Sequence, residues 1–235
     1  MKQLITTLLL VPALCFQTMA QDAPSAQQIM DNYVAAIGGK EFLSTITDMR
    51  VEMSTEFNGN PVLITRKAKA PNKFVQVINA NGMEMMRMTG NGSKIVMGGM
   101  QGSRTIEGKD AQQQLLQNTL FGEMRYADLG VKSTVAGVET VNGKDAYKIV
   151  QTSADGAATW TDFYDKESGL KVQTISTQRG QQGPTLQTMQ YSDYKDFKGL
   201  KYPTTVSQTG GRAMQMTVDK VKINDGVKDA EFEVK

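Results

Sequence analysis

The chain has 235 residues, with 26 basic and 24 acidic side chains and a formal net charge of +2. This near balance, the lack of any basic run and the low aromatic content of 7% argue against a nucleic-acid partner. Histidine is absent, which excludes Ser-His-Asp and Cys-His catalysis and most zinc and iron sites.

The N-terminus has the pattern of a cleavable signal peptide over residues 1–20. Lys2 supplies a positive charge, residues 4–16 form a short apolar run, and Thr18 and Ala20 are the small residues of a cleavage site. The run is shorter than the roughly 20 apolar residues of a membrane anchor. A buried N-terminal helix is the alternative. We predict export to a bacterial periplasm, one domain over residues 21–235 and no stable membrane insertion.

Cys15 is the only cysteine of the chain. Leu14 precedes it where a lipidation site would have a small residue, so we do not expect the protein itself to be a lipoprotein. Cleavage after Ala20 would also remove Cys15. The mature chain is therefore predicted to contain neither a disulfide nor a thiol nucleophile.

The first predicted element of the mature chain is a helix. Ser25 can cap it, its apolar residues recur at helical spacing, and Gly38-Gly39 provides the backbone freedom of a helix end. A second short helical turn is predicted over residues 40–44. From Asp48 the spacing of apolar residues changes to a period of two, which indicates strands.

Short strand-like runs then follow one another, separated by turns rich in Asn and Gly. A helix is predicted over residues 109–120. The predicted strands cover residues 48–57, 61–69, 73–78, 83–89, 94–97, 132–138, 146–152, 158–164, 170–177, 186–191, 202–208 and 213–223.

Many short strands with few helices predict a mainly β (α+β) protein with a single, strongly curved antiparallel sheet, a half-open β-barrel. A sheet of this size encloses more volume than its own side chains fill. We therefore expect the N-terminal and mid-chain helices to cap the concave face over an apolar cavity.

Methionine is unusually frequent, with 15 residues in the chain. Methionine is unbranched and polarisable, so a cluster can form an adaptable pocket lining or can simply fill gaps in a core. Thioethers also bind Cu(I), which makes a methionine-based copper site a further alternative. The densest cluster comprises Met83, Met85, Met86, Met88, Met97 and Met100.

Two groups of carboxylates lie at predicted turns: Asp162, Asp165 and Glu167 form the first, and Asp193 and Asp196 the second. They could bind a hard cation or act as an acid/base pair. Aspartate favours turns, however, so we expect these residues to cap turns on a solvated rim. An enzyme would require them to converge in a cleft, and we predict no catalytic residue, metal site or cofactor.

Several segments, taken in order, resemble LolA/LolB-like periplasmic lipoprotein carriers. Residues 66–74 (RKAKAPNKF) are similar to a K-x-P-N-x-F segment of these carriers, and residues 90–94 (GNGSK) are similar to the hairpin that follows it. Later hairpins and strands match over residues 163–170, 191–203 and 223–232. Residues 36–39 (AIGG) resemble a Bacteroidetes-type subgroup known as outer-membrane lipoprotein-sorting proteins.

The resemblance implies a half-open antiparallel barrel with a helical lid, without enzymatic activity or a cofactor. It implies a monomeric carrier that takes acyl chains of lipoproteins or related lipids from an inner-membrane donor to an outer-membrane acceptor. One position departs from the pattern: Ala70 precedes the proline, where the carriers commonly have a basic residue.

These arguments lead to two hypotheses from different classes. In the first, the protein is a carrier. In the second, it is a non-enzymatic envelope interaction module whose own methionines fill the same fold. An open apolar pocket would favour the carrier. Its candidate lining is Met53, Phe57, Ile64, Phe74, Met85, Met88 and Met97.

Overall fold

The computed structural model describes residues 23–100, 102–180, 183–210 and 213–234. The predicted signal peptide, including Cys15 and the cleavage site at Ala20, lies outside the described residues. None of the helices within these ranges is long and apolar enough to cross a lipid bilayer.

The described residues form one antiparallel sheet of 13 strands. Along the sheet the strands are ordered β6-β5-β4-β3-β2-β1-β13-β12-β11-β10-β9-β8-β7. Their bounds are β1 Asp48–Phe57, β2 Asn60–Lys69, β3 Lys73–Ala80, β4 Met83–Gly90, β5 Ile95–Gly99, β6 Gly102–Ile106, β7 Lys132–Val141, β8 Lys144–Thr152, β9 Thr159–Asp165, β10 Lys171–Gly180, β11 Gly183–Phe197, β12 Leu200–Thr209 and β13 Met214–Ile223.

The sheet consists of two meanders that are joined in the middle by β1 and β13. Met49 pairs with Ile223, and Val51 pairs with Val221. The strands at the two edges, β6 and β7, each pair with one neighbour among the described strands, so the sheet is not closed. The predicted single, half-open antiparallel sheet is confirmed.

The sheet is strongly curved. Arg104 of β6 and Trp160 of β9 line the same cavity, although ten steps separate their strands in the sheet order. At about 4.8 Å per step, a flat sheet would hold them roughly 48 Å apart. Curling of the sheet brings its two halves together around a concave face.

Three α-helices accompany the sheet in the described residues: α1 (Ala26–Ala36), α2 (Lys40–Ser44) and α3 (Lys109–Gln117). The first begins with the predicted cap at Ser25. Ser25 Oγ accepts a hydrogen bond from the backbone N–H of Gln28 (3.2 Å), and Gln28 Oε1 accepts one from the backbone N–H of Ser25 (2.8 Å). This reciprocal pair satisfies two donors that a helix start leaves free.

The two longer helices cap the concave face, as predicted. Helix α1 buries Ile29 and Met30 against Trp160. Helix α3 buries Leu115 against Phe74, which lies on the same side of β3 as the cavity-lining Gln76 because alternate residues share a face. Each helix thus fills one part of the concavity with its apolar side.

Residues 118–131, the connection between α3 and β7, cross the concave side between the two halves of the sheet. The connection is held to the turn before β3 by a hydrogen bond from the Leu120 N–H to the Pro71 carbonyl (3.1 Å). It contains a short 3₁₀ helix, Gly122–Met124, in which Glu123 is buried. The connection therefore places the ionisable side chain of Glu123 in the protein interior.

Strand β6 was not among the predicted strands. Four of its five residues are exposed, so no apolar alternation marks it. Its existence depends on pairing with β5, for example Val96 with Thr105. An edge strand that is exposed on both faces leaves little trace in the hydropathy pattern.

The C-terminal segment packs on the convex face of β3. Phe232 of a short 3₁₀ helix (Asp229–Phe232) is buried beside Val75. Asp229 binds Lys69 (2.8 Å) and Lys73 (2.9 Å). These two hydrogen-bonded lysines hold the pKa of Asp229 at about 2. The ion pairs of Asp229 with the lysines should therefore persist well below the usual pKa of a carboxylate.

Gly90 of β4 provides a test of packing under α3. A methyl group there would overlap the ring of Phe74, so we expect Gly90→Ala to lower the free energy of unfolding by about 1–3 kcal/mol. Gly98 in the neighbouring strand is the matched control, because nothing lies within 4 Å of a Cβ built there. In urea unfolding, Gly98→Ala should be neutral or slightly stabilising. Equal losses would contradict this account of the packing.

Candidate functional site

An open groove of about 500 Å³ lies on the concave face. This volume is within the range of small-molecule binding sites. One side of the groove, which we call the methionine wall, is formed by Met86, Met88, Met97, Ile64 and Ile78. The methionines of this wall are half-buried, so their thioethers remain accessible from the groove.

The opposite side of the groove carries polar side chains among three further methionines, Met189, Met214 and Met216. We call it the glutamine wall; it consists of Thr174, Ser176, Gln178, Gln187 and Gln208. Helix α3 adds further amides to the rim of the groove, because the side chains at positions 114 and 117 face it. Hydrogen-bonding side chains are therefore concentrated on one side of the groove, although methionines line both sides.

Strand register aligns one row of side chains across the methionine half of the sheet. Arg66 pairs with Gln76, Gln76 with Met88, Met88 with Met97, and Met97 with Arg104. Residues directly opposite one another in antiparallel strands project to the same face. All five side chains line the groove, so an arginine stands at each end of an amide-and-methionine row.

A smaller chamber of about 160 Å³ lies between the sheet and the 118–131 connection. Arg66 and Lys171 line both the chamber and the groove, so the two spaces meet at these side chains. The chamber is rich in phenol rings, contributed by Tyr33, Tyr126, Tyr191, Tyr194 and Tyr202.

Lys171 is the centre of a buried ion cluster. Its ammonium pairs with the carboxylate of Glu123 and lies 3.5 Å from Oδ1 of Asp162. The exposed fractions of these side chains are only 15%, 6% and 1%, respectively. The same ammonium lies 5.5 Å from the ring centroids of Tyr33 and Tyr164, at cation–π distance.

The two carboxylates of this cluster have further hydrogen bonds. Asp162 accepts from Trp160 Nε1 (3.0 Å) and from Thr174 Oγ1 (2.7 Å). Glu123 accepts from the hydroxyl of Tyr164 (3.2 Å). Buried charges require such partners. The cluster therefore ties the connection that carries Glu123 to strands β9 and β10.

Burial and charge act on this cluster in opposite directions. Burial alone would lower the pKa of Lys171, but the carboxylates of Asp162 and Glu123 outweigh it and leave that pKa well above its usual value. Burial raises the pKa of Asp162, and the charge of Lys171 opposes this only in part. At neutral pH the lysine is thus firmly charged.

Three of the seven predicted lining residues, Ile64, Met88 and Met97, are on the groove. Met53 pairs with Ile64 and shares its face, but it is buried in the main core, 8% exposed. Phe57 packs at the edge of that core. A ligand contact for any of them remains a prediction.

Phe74 and Met85 occupy other places. Phe74 is fully buried beneath α3 rather than open to the groove. Met85 lies where the register of β3 and β4 shifts, and with Met100 it lines an adjoining surface pocket that shares Met86 and Met97 with the groove. A bulge changes which face a side chain meets, which simple alternation could not predict.

The carboxylate predictions divide in the same way. Asp165 does cap its turn, since Oδ1 accepts from the backbone N–H of Ser168 (2.7 Å), but it is buried rather than on a solvated rim. Asp196 accepts from the N–H of Gly199 (3.1 Å) and is exposed, as predicted. Asp162 is not on a solvated rim but buried. Its inward position could have been recognised, because it alternates with the apolar Trp160.

Arg66, Glu123 and Lys171 were not predicted as site residues. For Arg66 a signal was available: it occupies an inward position of a strand between Ile64 and Ala68. No local pattern marks Glu123 or Lys171. Their burial depends on the path of the connection across the sheet.

The ion cluster predicts unequal effects of two lysine substitutions. Lys171→Met leaves two carboxylates buried without a cation, so we expect a loss of about 3–5 kcal/mol in the free energy of unfolding. Lys148→Met is the matched control, because Lys148 also pairs with a carboxylate, Glu139 (2.6 Å), but in an exposed site. Lys148→Met should lower the free energy of unfolding by only about 0–1 kcal/mol.

The pH dependence of the same variants supplies a second readout. Without the lysine, the largest effect that opposes burial is lost, and burial raises the folded-state pKa of Asp162 further above its unfolded value of about 4. Protonation then favours the folded state, so the deficit of Lys171→Met should shrink as pH falls through that raised pKa. A deficit independent of pH would contradict the role given to the cluster.

Comparison with known proteins finds solved structures with a similar fold. No protein-family model matches the chain, and no curated protein matches its sequence. A LolA superfamily protein from Nitrosomonas europaea superimposes with a TM-score of 0.59 at 14% identity, over 90% of this chain and 99% of that one.

Two further solved structures are similar. A DUF1329 family protein from Desulfovibrio piger gives a TM-score of 0.57 at 15% identity, over 90% of this chain and 98% of that one. A Vibrio parahaemolyticus domain of the outer membrane lipoprotein-sorting class gives 0.54 at 12% identity, over 88% and 95%. At such identities the likeness concerns the fold, and the chain has a LolA-like fold.

Proposed function

We propose that the protein is a non-catalytic periplasmic carrier that binds acyl chains of lipoproteins or related lipids and moves them toward the outer membrane. The observation that carries this proposal is the open groove with its methionine wall. Two helices and a connection occupy the rest of the concave face, yet this part stays accessible. A core that only supported the fold would have little reason to leave it open.

The energetics of acyl-chain burial suit such a groove. Each methylene group removed from water contributes about 0.8 kcal/mol, so burial of about ten methylenes against the methionine wall matches the roughly 8 kcal/mol of micromolar binding. Methionine side chains adapt to chains of different length or branching. The groove can therefore accept a class of lipids rather than a single molecule.

The acidic residues of the cavity support binding rather than catalysis. Asp162 and Glu123 both pair with Lys171. Asp162 also accepts hydrogen bonds from two neighbouring side chains. A general acid or base must have a free route to its substrate proton, and these carboxylates are committed to holding the connection in place.

The remaining parts of the proposal come from the N-terminus and the fold. A cleaved signal peptide would deliver the mature chain to the periplasm. The LolA-like fold, together with a lipoprotein-sorting domain among the similar structures, supports an inner-membrane donor and an outer-membrane acceptor as partners. The carrier would act as a monomer.

A second candidate function is an envelope interaction module with a self-filled core. It is favoured by the burial of Met53 and Phe74, two candidate lining residues that the chain itself covers. The two functions differ in one measurable property, since a module needs no exchangeable lipid in its groove.

Binding of a fluorescent fatty acid to delipidated protein separates them. We expect saturable binding, and we expect Met88→Asp to weaken it about tenfold or more, because a carboxylate in the methionine wall must be desolvated by the acyl chain. Met83→Asp in the same strand is the matched control, because Met83 is 62% exposed. Absence of saturable binding by the unmodified protein would favour the module instead.

A further inference from the structure

Arg66, which lines both the groove and the chamber, has no ion-pair or hydrogen-bond partner among the described residues. Its Nε is buried and has no hydrogen-bond partner among the described residues. It takes part in none of the ion pairs found between those residues, whereas Arg50, whose Nε is also unpaired, binds Glu52 through another nitrogen (2.9 Å). A buried donor on a charged group is costly when it is left unpaired.

The carboxylates that line the groove and the chamber together with Arg66 are already engaged. Lys171 pairs with both Glu123 and Asp162. The groove therefore retains the positive charge of Arg66, and Arg104 at the far end of the same row adds a second. An occupant of this groove would meet an excess of positive charge beside the methionine wall.

Neutral donors accompany the guanidinium. Gln76 pairs directly with Arg66 in the register of β2 and β3 and lines the groove. Tyr202 lines the chamber beside Arg66. Burial raises the pKa of Tyr202, which the charge of Arg66 opposes only in part, so its hydroxyl keeps its proton at neutral pH. An arginine with an amide and a phenol nearby is a set of donors suited to an oxyanion.

We propose that the groove binds an anionic lipid, with its carboxylate or phosphate at Arg66 and its acyl chain along the methionine wall. This inference rests on the proposed carrier function and specifies the class of its cargo. It follows from the position of Arg66, because the residue lies in one row with Met88 and Met97. The same molecule can then satisfy the guanidinium and cover the methionines.

The test compares three probes that share one acyl chain: oleate, oleoyl lysophosphatidate and neutral monooleoylglycerol. Trp160, the only tryptophan of the chain, lines the groove and reports binding by its fluorescence. We expect the two anionic probes to bind about tenfold or more tightly than the neutral one, the effect of a hydrogen bond to a charged group.

Substitution of the arginine assigns that preference to one residue. Arg66→Gln should abolish the difference between anionic and neutral probes and leave binding of monooleoylglycerol within about twofold, while Arg66→Lys should retain part of the difference. Arg87→Gln is the matched control, because Arg87 pairs with Glu84 (2.6 Å) away from the groove. It should change neither affinity.

Each outcome has a distinct meaning. If none of the probes binds, the carrier function itself fails. If monooleoylglycerol binds as tightly as oleate, or if Arg66→Gln weakens all probes equally, the carrier stands but the anionic cargo is wrong. Displacement of oleate by millimolar inorganic phosphate would show a free-ion site and would also overturn the proposal. If Arg66→Gln fails to fold, the probe comparison on unmodified protein still tests the anionic cargo, and an unchanged preference in Arg66→Lys would count against Arg66 as its binding site.

Discussion

The ion cluster around Lys171 fixes the layout of the concave face. The connection after α3 has to travel from the β6 edge of the sheet to the β7 edge, and Glu123 anchors it midway to β9 and β10. An apolar contact of equal volume could stabilise the fold as well as a buried ion pair does. Charge, however, restricts where the connection can sit, because Glu123 has to meet the ammonium.

With the connection held there, the concave face is divided into filled and open parts. Helix α3 shows how the division is made. Its apolar residues Ala111 and Leu115 are buried against the sheet, whereas Gln114 and Gln117 face the groove. The helix covers Phe74 but presents amides to the methionine wall. An amphipathic helix on a curved sheet can thus complete a core and leave a binding surface beside it.

Most strands of the sheet could be predicted from the sequence, but few residues of the candidate site could be. Local alternation and turn residues mark a strand because its inner and outer faces differ, and this difference is lost in the exposed β6. The pairing of β1 with β13 joins residues such as Met49 and Ile223, and no local pattern encodes a contact so distant along the chain. The prediction that Asp162 caps a solvated turn was wrong, because the preference of aspartate for turns was given more weight than the inward position of this residue in its strand.

Methionine and glutamine together define what the groove can hold. A wall of methionines alone would suit a purely apolar chain, and it could close on itself in the absence of ligand. The facing glutamine wall and Arg66 make such a collapse unfavourable, because amides and a guanidinium would lose water without gaining partners. In the proposed carrier, these polar groups would keep the groove open and select among acyl chains by the head group they carry. Under the proposed function, affinity from the methionines and selectivity from Arg66 would be separable properties, since they come from different side chains of one cross-strand row.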